Sequence, residues 1–597
     1  MIDLFFHNQF VLTFFPALLL SLLLTPVAIR YSFHLNAVDR PDDRKVHEKP
    51  VSRLGGVAML TGLVVPILFF TELDRVMTAF LAGLLLVSVT GFLDDAYRIT
   101  PFWKFVGEVA AAGAFVVFSG VSLREFGNLF NVGELNAGAL GPALTVFCMV
   151  GVMNALNLSD GLDGLAGGIS AISCVFMGIF AYMGADRASL SILVALTGAL
   201  FGFLRYNTYP ANLFMGDTGS LLLGYSLSSV AVMLVRNDGV GVHMAPVTVA
   251  AILALPITDT LLVMARRIRH GKHPFYPDRS HLHHRLMELG FPHSAVVPIL
   301  YLSTAVFGVL SWLLRSHPEW VQLAAVILLA VVVHGAVFFL QHTGYRWKAE
   351  DLENSDEERR EVEHVYSWVA HIMGKSVRGA GWVIGFGLAL PTIALTEVPL
   401  SLGGTALSAL LFVGVLFPWR SRNSSPAVSY GLMYLSCLCL LALLHAMPGA
   451  PKWIPGYLAV LSAVVFGWVL LKMKYRGHRE IVQISSFETL LLGIALLVPL
   501  VVVPTLGLGE DFRRTMLTVC LESTAFLLAM KILIRRQPRR NYVIAMALMA
   551  ALALICLRGF LPQGTVTHIL ATPAAASLPF PPHKSGPSSP LHSSFPH

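Results

Sequence analysis

Two adjacent aspartates, Asp94 and Asp95, close an apolar run in the string Gly91-Phe92-Leu93-Asp94-Asp95. Carboxylates are costly near a bilayer and tend to persist there for a job. Side by side, their repulsion raises the proton affinity of one of them. The pair therefore suits holding a divalent cation or accepting a proton. A helix end solvated by headgroup water is the plainer alternative.

Three further clusters stand at the ends of other apolar runs. In Asn157-Leu158-Ser159-Asp160-Gly161-Leu162-Asp163-Gly164, Asp160 and Asp163 are three apart and share a helix face, while the glycines let backbone or ligand approach closely. Asn154 and Asn157 lie one turn upstream and can donate to phosphate or carbonyl oxygens, more than a simple turn requires. Asp217, in Gly216-Asp217-Thr218-Gly219-Ser220, either N-caps the next helix or binds Mg2+ beside a phosphate at the helix start. The last cluster, Pro277-Asp278-Arg279-Ser280-His281-Leu282-His283-His284-Arg285, has neither the cysteines nor the spacing of a zinc site. With Lys272 and Arg266 also near, it suits gripping a pyrophosphate. An earlier basic loop holds Lys45, His47 and Arg53 ahead of Gly55-Gly56, and reads as a topology signal or as a second phosphate-binding edge.

These residues need elements to position them, and the composition says which. The chain has 597 residues, 55% of them hydrophobic and only 13% charged. Its mean hydropathy is +0.69. Soluble domains carry about 25% charged residues. Continuous apolar runs, each long enough for roughly 30 Å of hydrocarbon, recur throughout, so an all-α polytopic membrane protein is expected and a β-barrel is excluded. Eleven spans are read at roughly 10–30, 54–71, 76–93, 103–119, 141–158, 166–184, 188–204, 219–235, 244–264, 295–314 and 320–340. With the N-terminus outside, the loops holding all the clusters fall on one side and carry most of the Lys and Arg, as cytoplasmic loops do. The net charge of +7 lies in short loops between spans, which argues against a nucleic-acid-binding face. The first run has no basic n-region and no cleavage site, so it reads as a retained span. The six cysteines lie inside apolar runs without metal or disulfide spacing.

Residues 1–345 form one expected membrane domain, and 346–380 a charged linker or solvated helix. Residues 381–560 form a second membrane domain of about seven spans, read at roughly 381–397, 402–418, 428–446, 456–472, 486–504, 515–534 and 541–558. The Pro-, Ser- and His-rich stretch 571–597 cannot bury a core and is expected to be disordered. Glu522, within an apolar run, is either a functional carboxylate or a polar contact between helices.

The strings RKVHEKPVSRLGG, GFLDDAYRI, NALNLSDGLDGLAGG, NLFMGDTGS and PFYPDRSHLHHRL, in this order, resemble the polyprenyl-phosphate N-acetylhexosamine-1-phosphate transferases over about residues 10–345. The resemblance implies an enzyme of the bacterial inner membrane, with its active site on the cytoplasmic face. Such an enzyme transfers N-acetylglucosamine-1-phosphate, or an epimer, from a UDP-sugar to undecaprenyl or another polyprenyl phosphate and releases UMP, the first membrane step of envelope polysaccharides such as O-antigen. It also implies dependence on Mg2+, with Mn2+ as a substitute, and is compatible with a homodimer. Carried over by motif, Asp94 and Asp95 activate or position the lipid phosphate and join Asp217 in holding the metal, with Asp217 the Mg2+ ligand, and His281, His283 and His284 with Arg279 hold the diphosphate. Asn154, Asn157, Asp160 and Asp163 line the nucleotide side, with Lys45, His47 and Arg53 at a phosphate edge. The form of the histidine loop resembles the GlcNAc-type enzymes rather than the alternative, transferases of muramoyl-pentapeptide phosphate. A glycolipid transporter or flippase is the rival of another class; it should place polar residues at mid-membrane rather than at span ends. Typical members lack the second membrane domain.

Overall fold

The apolar runs become helices almost where their hydropathy places them. The computed structural model describes residues 8–35, 37–39, 50–235, 244–273, 280–346 and 367–395, then 398–399, 402–403, 406–407, 410, 426–447, 450–475, 488–490, 493–494, 503, 509–536 and 541–560. The first half is built from α1 (Asn8–Ser32), α2 (Gly55–Phe70), α3 (Arg75–Tyr97), α4 (Pro101–Ser119), α5 (Gly141–Ser159), α6 (Leu165–Met183), α7 (Arg187–Asn207) and α8 (Gly216–Val235). It continues with α9 (Pro246–Ile252), α10 (Ala254–Arg269), the short α11 (Leu282–Glu288), α12 (His293–Leu314) and α13 (Glu319–His342). Starts are marked by familiar signals: Asp74 accepts from Met77 N at 2.7 Å to cap α3, Asp186 accepts from Ser189 N at 3.0 Å to cap α7, and Pro101 opens α4.

α8 is the axis of the bundle. Nearly all of it is enclosed by protein (89% of its span), against 17% for the peripheral α13. It packs on α2, α3, α5, α6 and α7. Its first turn is seated tightly: a Cβ on Gly56 would meet the backbone of Thr218 and Gly219, and one on Gly91 would meet that of Asp217 and Thr218. Gly216 has φ +67°, and a side chain there would strike Asp95 and the Arg53 carbonyl. The segment before α8 docks along a two-stranded hairpin, β1 (Val38–Asp39) and β2 (Val51–Ser52), through Phe214 N to Ser52 O at 2.8 Å. Gly56 N then donates to Met215 O at 2.9 Å.

The span expected at 244–264 departs from the reading. It is two helices, α9 and α10, meeting at 84° around Leu253. Pro256 supplies the cause, because it has no N–H for the carbonyl of Ile252 and its ring crowds that carbonyl. The break is braced by Thr248, whose hydroxyl bonds Gln322 Oε1 at 2.6 Å and whose carbonyl accepts from Ser311 Oγ at 2.6 Å.

Among the described residues eleven helices are long and apolar enough to cross a membrane, or twelve with the bent pair, in line with an all-α polytopic membrane protein. One apolar cluster runs from Ala17 to Val337, with Leu490 added. A second is formed by α14 (Ser367–Ile393), α15 (Pro426–Ala446), α16 (Trp453–Tyr475), α17 (Glu510–Arg536) and α18 (Asn541–Phe560). There Glu522 joins α17 to α15 through His445 Nε2 at 3.0 Å, and Lys531 pairs with Glu488. The expected spans at 402–418 and 486–504 fall mostly outside the described residues, as do most of the linker 346–380 and all of 571–597.

Candidate active site

The aspartate pair splits into two roles, because neighbouring helix residues point about 100° apart. Asp95, buried, turns into the bundle and accepts from Asp217 N (2.8 Å), Thr218 N (2.9 Å) and Thr218 Oγ1 (2.7 Å). It thus caps α8 from a neighbouring helix, satisfying two of the free N–H groups of its first turn. Both Asp95 oxygens are thereby engaged at the helix start, beside the aspartate expected to hold the metal. Since Asp95 does the capping, Asp217 is free of that task. Its Oδ1 accepts from Asn157 Nδ2 at 2.7 Å and pairs with Lys104, which also lies 3.3 Å from Asp94 Oδ2. Asn157 holds Ser220 Oγ with the same amide nitrogen at 2.7 Å. Asp94 and Asp217 therefore share one cation, the lysine ammonium, and offer an oxygen-only donor set of the kind Mg2+ takes.

The glycine-rich loop after α5 is braced from three sides. Gly164 has φ +80°, donates its N–H to Asn207 Oδ1 at 3.0 Å and accepts from Tyr301 Oη at 2.6 Å. Asp163 accepts from Ala211 N at 2.9 Å. Asp160 faces the other acids: burial first, then the charges of Asp217, Asp163 and Asp95, push it up to about 7 against the pull of Arg53. A Cβ on Gly161 would overlap the ring of His283, so the histidine loop leans directly on this turn.

The histidine loop is organised by Asp259 of α10, a residue the sequence reading passed over. Asp259 Oδ1 accepts from Leu282 N (2.9 Å), starting α11, while Oδ2 accepts from His281 Nδ1 (2.9 Å). That contact fixes the ring and its tautomer, with the Nε2 edge left for other partners. His283 is buried; burial and then His284 bring it down to about 3, so it is neutral. Its Nε2 finds no hydrogen-bond partner among the described residues. The His283 and His284 rings are 4.2 Å apart. Arg285 turns away, its guanidinium forking onto Gln341 Oε1 at 2.9 and 2.7 Å.

Two expected contacts are redirected. Asn154 donates to Glu108 Oε2 at 2.5 Å and to Val150 O at 3.0 Å instead of facing the nucleotide side. Arg53 pairs with Asp39 at 2.8 Å, although its charge reaches Asp160. Lys45, His47 and Arg279 lie outside the described residues. Of the expected residues, Asp94, Asp95, Asn157, Asp160, Asp163, Asp217, His281, His283 and His284 stand on elements that meet at one end of the bundle. Lys104 and Glu108 were missed because a lysine in a span's first turn reads as a topology charge and a single acid within an apolar run carries no spacing signal.

Comparison with known proteins gives the family. The family described as Glycosyl transferase family 4 matches residues 77–235, which contain every acidic residue of the site except Asp259. The chain is 36% identical over 327 residues to the probable undecaprenyl-phosphate N-acetylglucosaminyl 1-phosphate transferase of Bacillus subtilis, covering 54% of this chain and 90% of that protein. It is 31% identical to the undecaprenyl-phosphate alpha-N-acetylglucosaminyl 1-phosphate transferase of Yersinia pestis, over 52% of this chain and 86% of that one. With the decaprenyl-phosphate N-acetylglucosaminephosphotransferase of Mycobacterium tuberculosis it shares 34%, over 50% and 81% respectively. A match of this depth across nearly the whole of such relatives places the chain in glycosyl transferase family 4, among the polyprenyl-phosphate N-acetylglucosamine-1-phosphate transferases.

Proposed function

We propose that the protein transfers N-acetylglucosamine-1-phosphate from UDP-N-acetylglucosamine to a polyprenyl phosphate in the bacterial inner membrane, releasing UMP on the cytoplasmic side. The observation that carries the reading is the shared cation between Asp94 and Asp217 at the start of the most enclosed helix, with the histidine loop leaning on the adjoining Asp160-Gly161 turn. Similarity to three transferases that act on undecaprenyl or decaprenyl phosphate, by their names, supports the lipid and sugar. The basic residues Arg266, Arg267 and Arg269 at the end of α10, on the same side, support a cytoplasmic site and an outside N-terminus.

A lipid phosphate oxygen attacks the β-phosphorus of the donor, and the bond to the UMP oxygen breaks. A phosphate monoester has its second pKa near 6, so the nucleophile needs little help from a base at neutral pH. Asp94 and Asp217 then matter as holders of positive charge more than as proton acceptors. They fit Mg2+, which when bound neutralises the diphosphate. Asn157 keeps Asp217 oriented. His281, fixed by Asp259, presents its ring at the turn holding Asp160, where it grips the donor diphosphate, while the buried ring of His283 packs on Gly161 behind it. Asp160 and Asp163 face the nucleotide.

The test is transfer of radiolabel from UDP-N-acetylglucosamine to extractable undecaprenyl phosphate by the purified chain, with UMP-driven reversal and with omission of Mg2+. A donor panel should include UDP-N-acetylmuramoyl-pentapeptide. Label that stays in the aqueous phase with every donor ends this reading, and transfer of the muramoyl compound alone reassigns the substrate.

A further inference from the structure

Lys104 is the cation that Asp94 and Asp217 share, 3.3 Å from Asp94 Oδ2 and in a closer pair with Asp217 Oδ1. An ammonium and a divalent cation cannot sit together between the same two carboxylates, because like charges at that separation repel strongly even at a protein's effective dielectric. One turn along α4 stands Glu108, at 1% exposure. Its Oε2 takes the Asn154 amide, which is itself anchored to Val150 O. An amide supplies no compensating charge, and a buried carboxylate is costly without a cation in reach. Residues four apart on a helix are neighbours, and a lysine's four-carbon stem lets its ammonium sweep that distance.

We infer that Lys104 is a displaceable counter-ion: it holds Asp94 and Asp217 together until a divalent cation enters, then moves to Glu108, which thereby sets the site's affinity for metal. The inference rests on the metal dependence proposed above. Glu108 and Asn154 are positioning residues in this scheme, acting through the lysine and touching neither substrate nor metal. The arrangement keeps the two aspartates from repelling each other apart and gives the displaced charge a defined destination.

The experiment is a Mn2+ titration of the purified full-length chain in detergent, followed by electron paramagnetic resonance, without nucleotide or lipid. Lys104→Met should bind Mn2+ about tenfold more tightly than the native chain, since its competitor is gone. Glu108→Gln should bind about tenfold more weakly, and that loss should vanish in the Lys104→Met background, where no ammonium needs a new partner. A lysine with a merely structural role gives the opposite sign: Lys104→Met would loosen the aspartates and weaken binding. Unchanged or weaker Mn2+ binding by Lys104→Met overturns the inference, as does a Glu108→Gln effect that persists in the double variant. Should either variant fold poorly, amine-directed labelling of Lys104 in the native chain, read by mass spectrometry, decides the point. The labelling rate must change when Mn2+ binds, and a constant rate rules the movement out. A native chain that binds no Mn2+ overturns the metal dependence itself, and the inference with it; Mn2+ binding without these changes overturns the inference alone.

Discussion

Asp217 and Asp95 show how much a single side-chain direction decides. Asp217 carries its charge toward Lys104 and Asn157, while Asp95 spends its oxygens on α8. Asp217→Asn keeps a polar oxygen for Asn157 but removes the charge, so transfer should fall at least a hundredfold, about 2.7 kcal/mol in barrier height, with the chain still folded in detergent. Label transfer beside a melting curve checks this, and near-native turnover would leave Asp217 without a role in the chemistry. His283 gives a pH signature. Its pKa is near 3 when folded against 6.5 when free, so between those values the unfolded chain binds a proton that the folded chain does not. The stability His283 allows is therefore fully present above pH 6.5 and lost as pH falls toward 3, by about 1.4 kcal/mol at pH 5.5. His283→Gln should show a smaller drop in melting temperature between pH 7.5 and 5.5 than the native chain; equal drops would mean that the ring is not buried neutral.

At the scale of elements, the site depends on how closely α2 and α3 approach the first turn of α8. Gly56→Ala puts a methyl group into the backbone of Thr218 and Gly219, where no flexible side chain can yield. Overpacking of this kind costs about 1–3 kcal/mol, and here it pushes on the turn that carries Asp217. A lower melting temperature together with reduced turnover is expected, whereas a change in neither would mean that the helices have room to separate. The sequence made much of this legible. The spans read from hydropathy fall within a few residues of α1 to α8, because in a membrane protein length and apolarity are the constraint itself. Asp94 and Asp217 stood out because charge at a span end is conspicuous. The bend at Leu253 was not legible as a bend: Pro256 is visible, but proline within a span is common, and the polar brace from Gln322 and Ser311 lies far along the chain. Asp259 was hidden for a related reason, since its partners at 281 and 282 come from a loop that hydropathy treats as mere connection.

Across the whole molecule, the acidic pair, Lys104, Asp217 and the histidines stand on or beside helices whose apolar side chains form the first cluster, and α14 to α18 build another. Leu490 and Ile494 are the described residues of the later chain that join the first cluster. Met549 also packs beside Leu22, and α15 touches α7. A chain ending after Arg346 should therefore insert, fold and transfer sugar phosphate at a rate within about tenfold of the full chain, since losing these few contacts removes only a few kcal/mol of packing. Size-exclusion behaviour and label transfer check this together, and a well-folded but inert truncation would show that the later helices complete the site. Within the later helices, the buried pairs His445–Glu522 and Lys531–Glu488 tie one helix to another.

The clasp at Asp259 bears on how such a loop varies in length. One carboxylate ties off a stretch of 22 residues by two hydrogen bonds at its far end. The entropy of closing a loop grows only with the logarithm of its length, so doubling the stretch costs about 0.6 kcal/mol. Extra residues between 270 and 279 should thus be absorbed with little loss of turnover, while Asp259→Ala, which changes no loop length, should unfasten α11 and free the His281 ring together. A series of glycine-serine insertions near residue 272, assayed beside Asp259→Ala for turnover and for amide exchange at Leu282, separates the two effects. Activity that falls steeply with each added residue would mean that the whole stretch, and not its single clasp, sets the histidines in place.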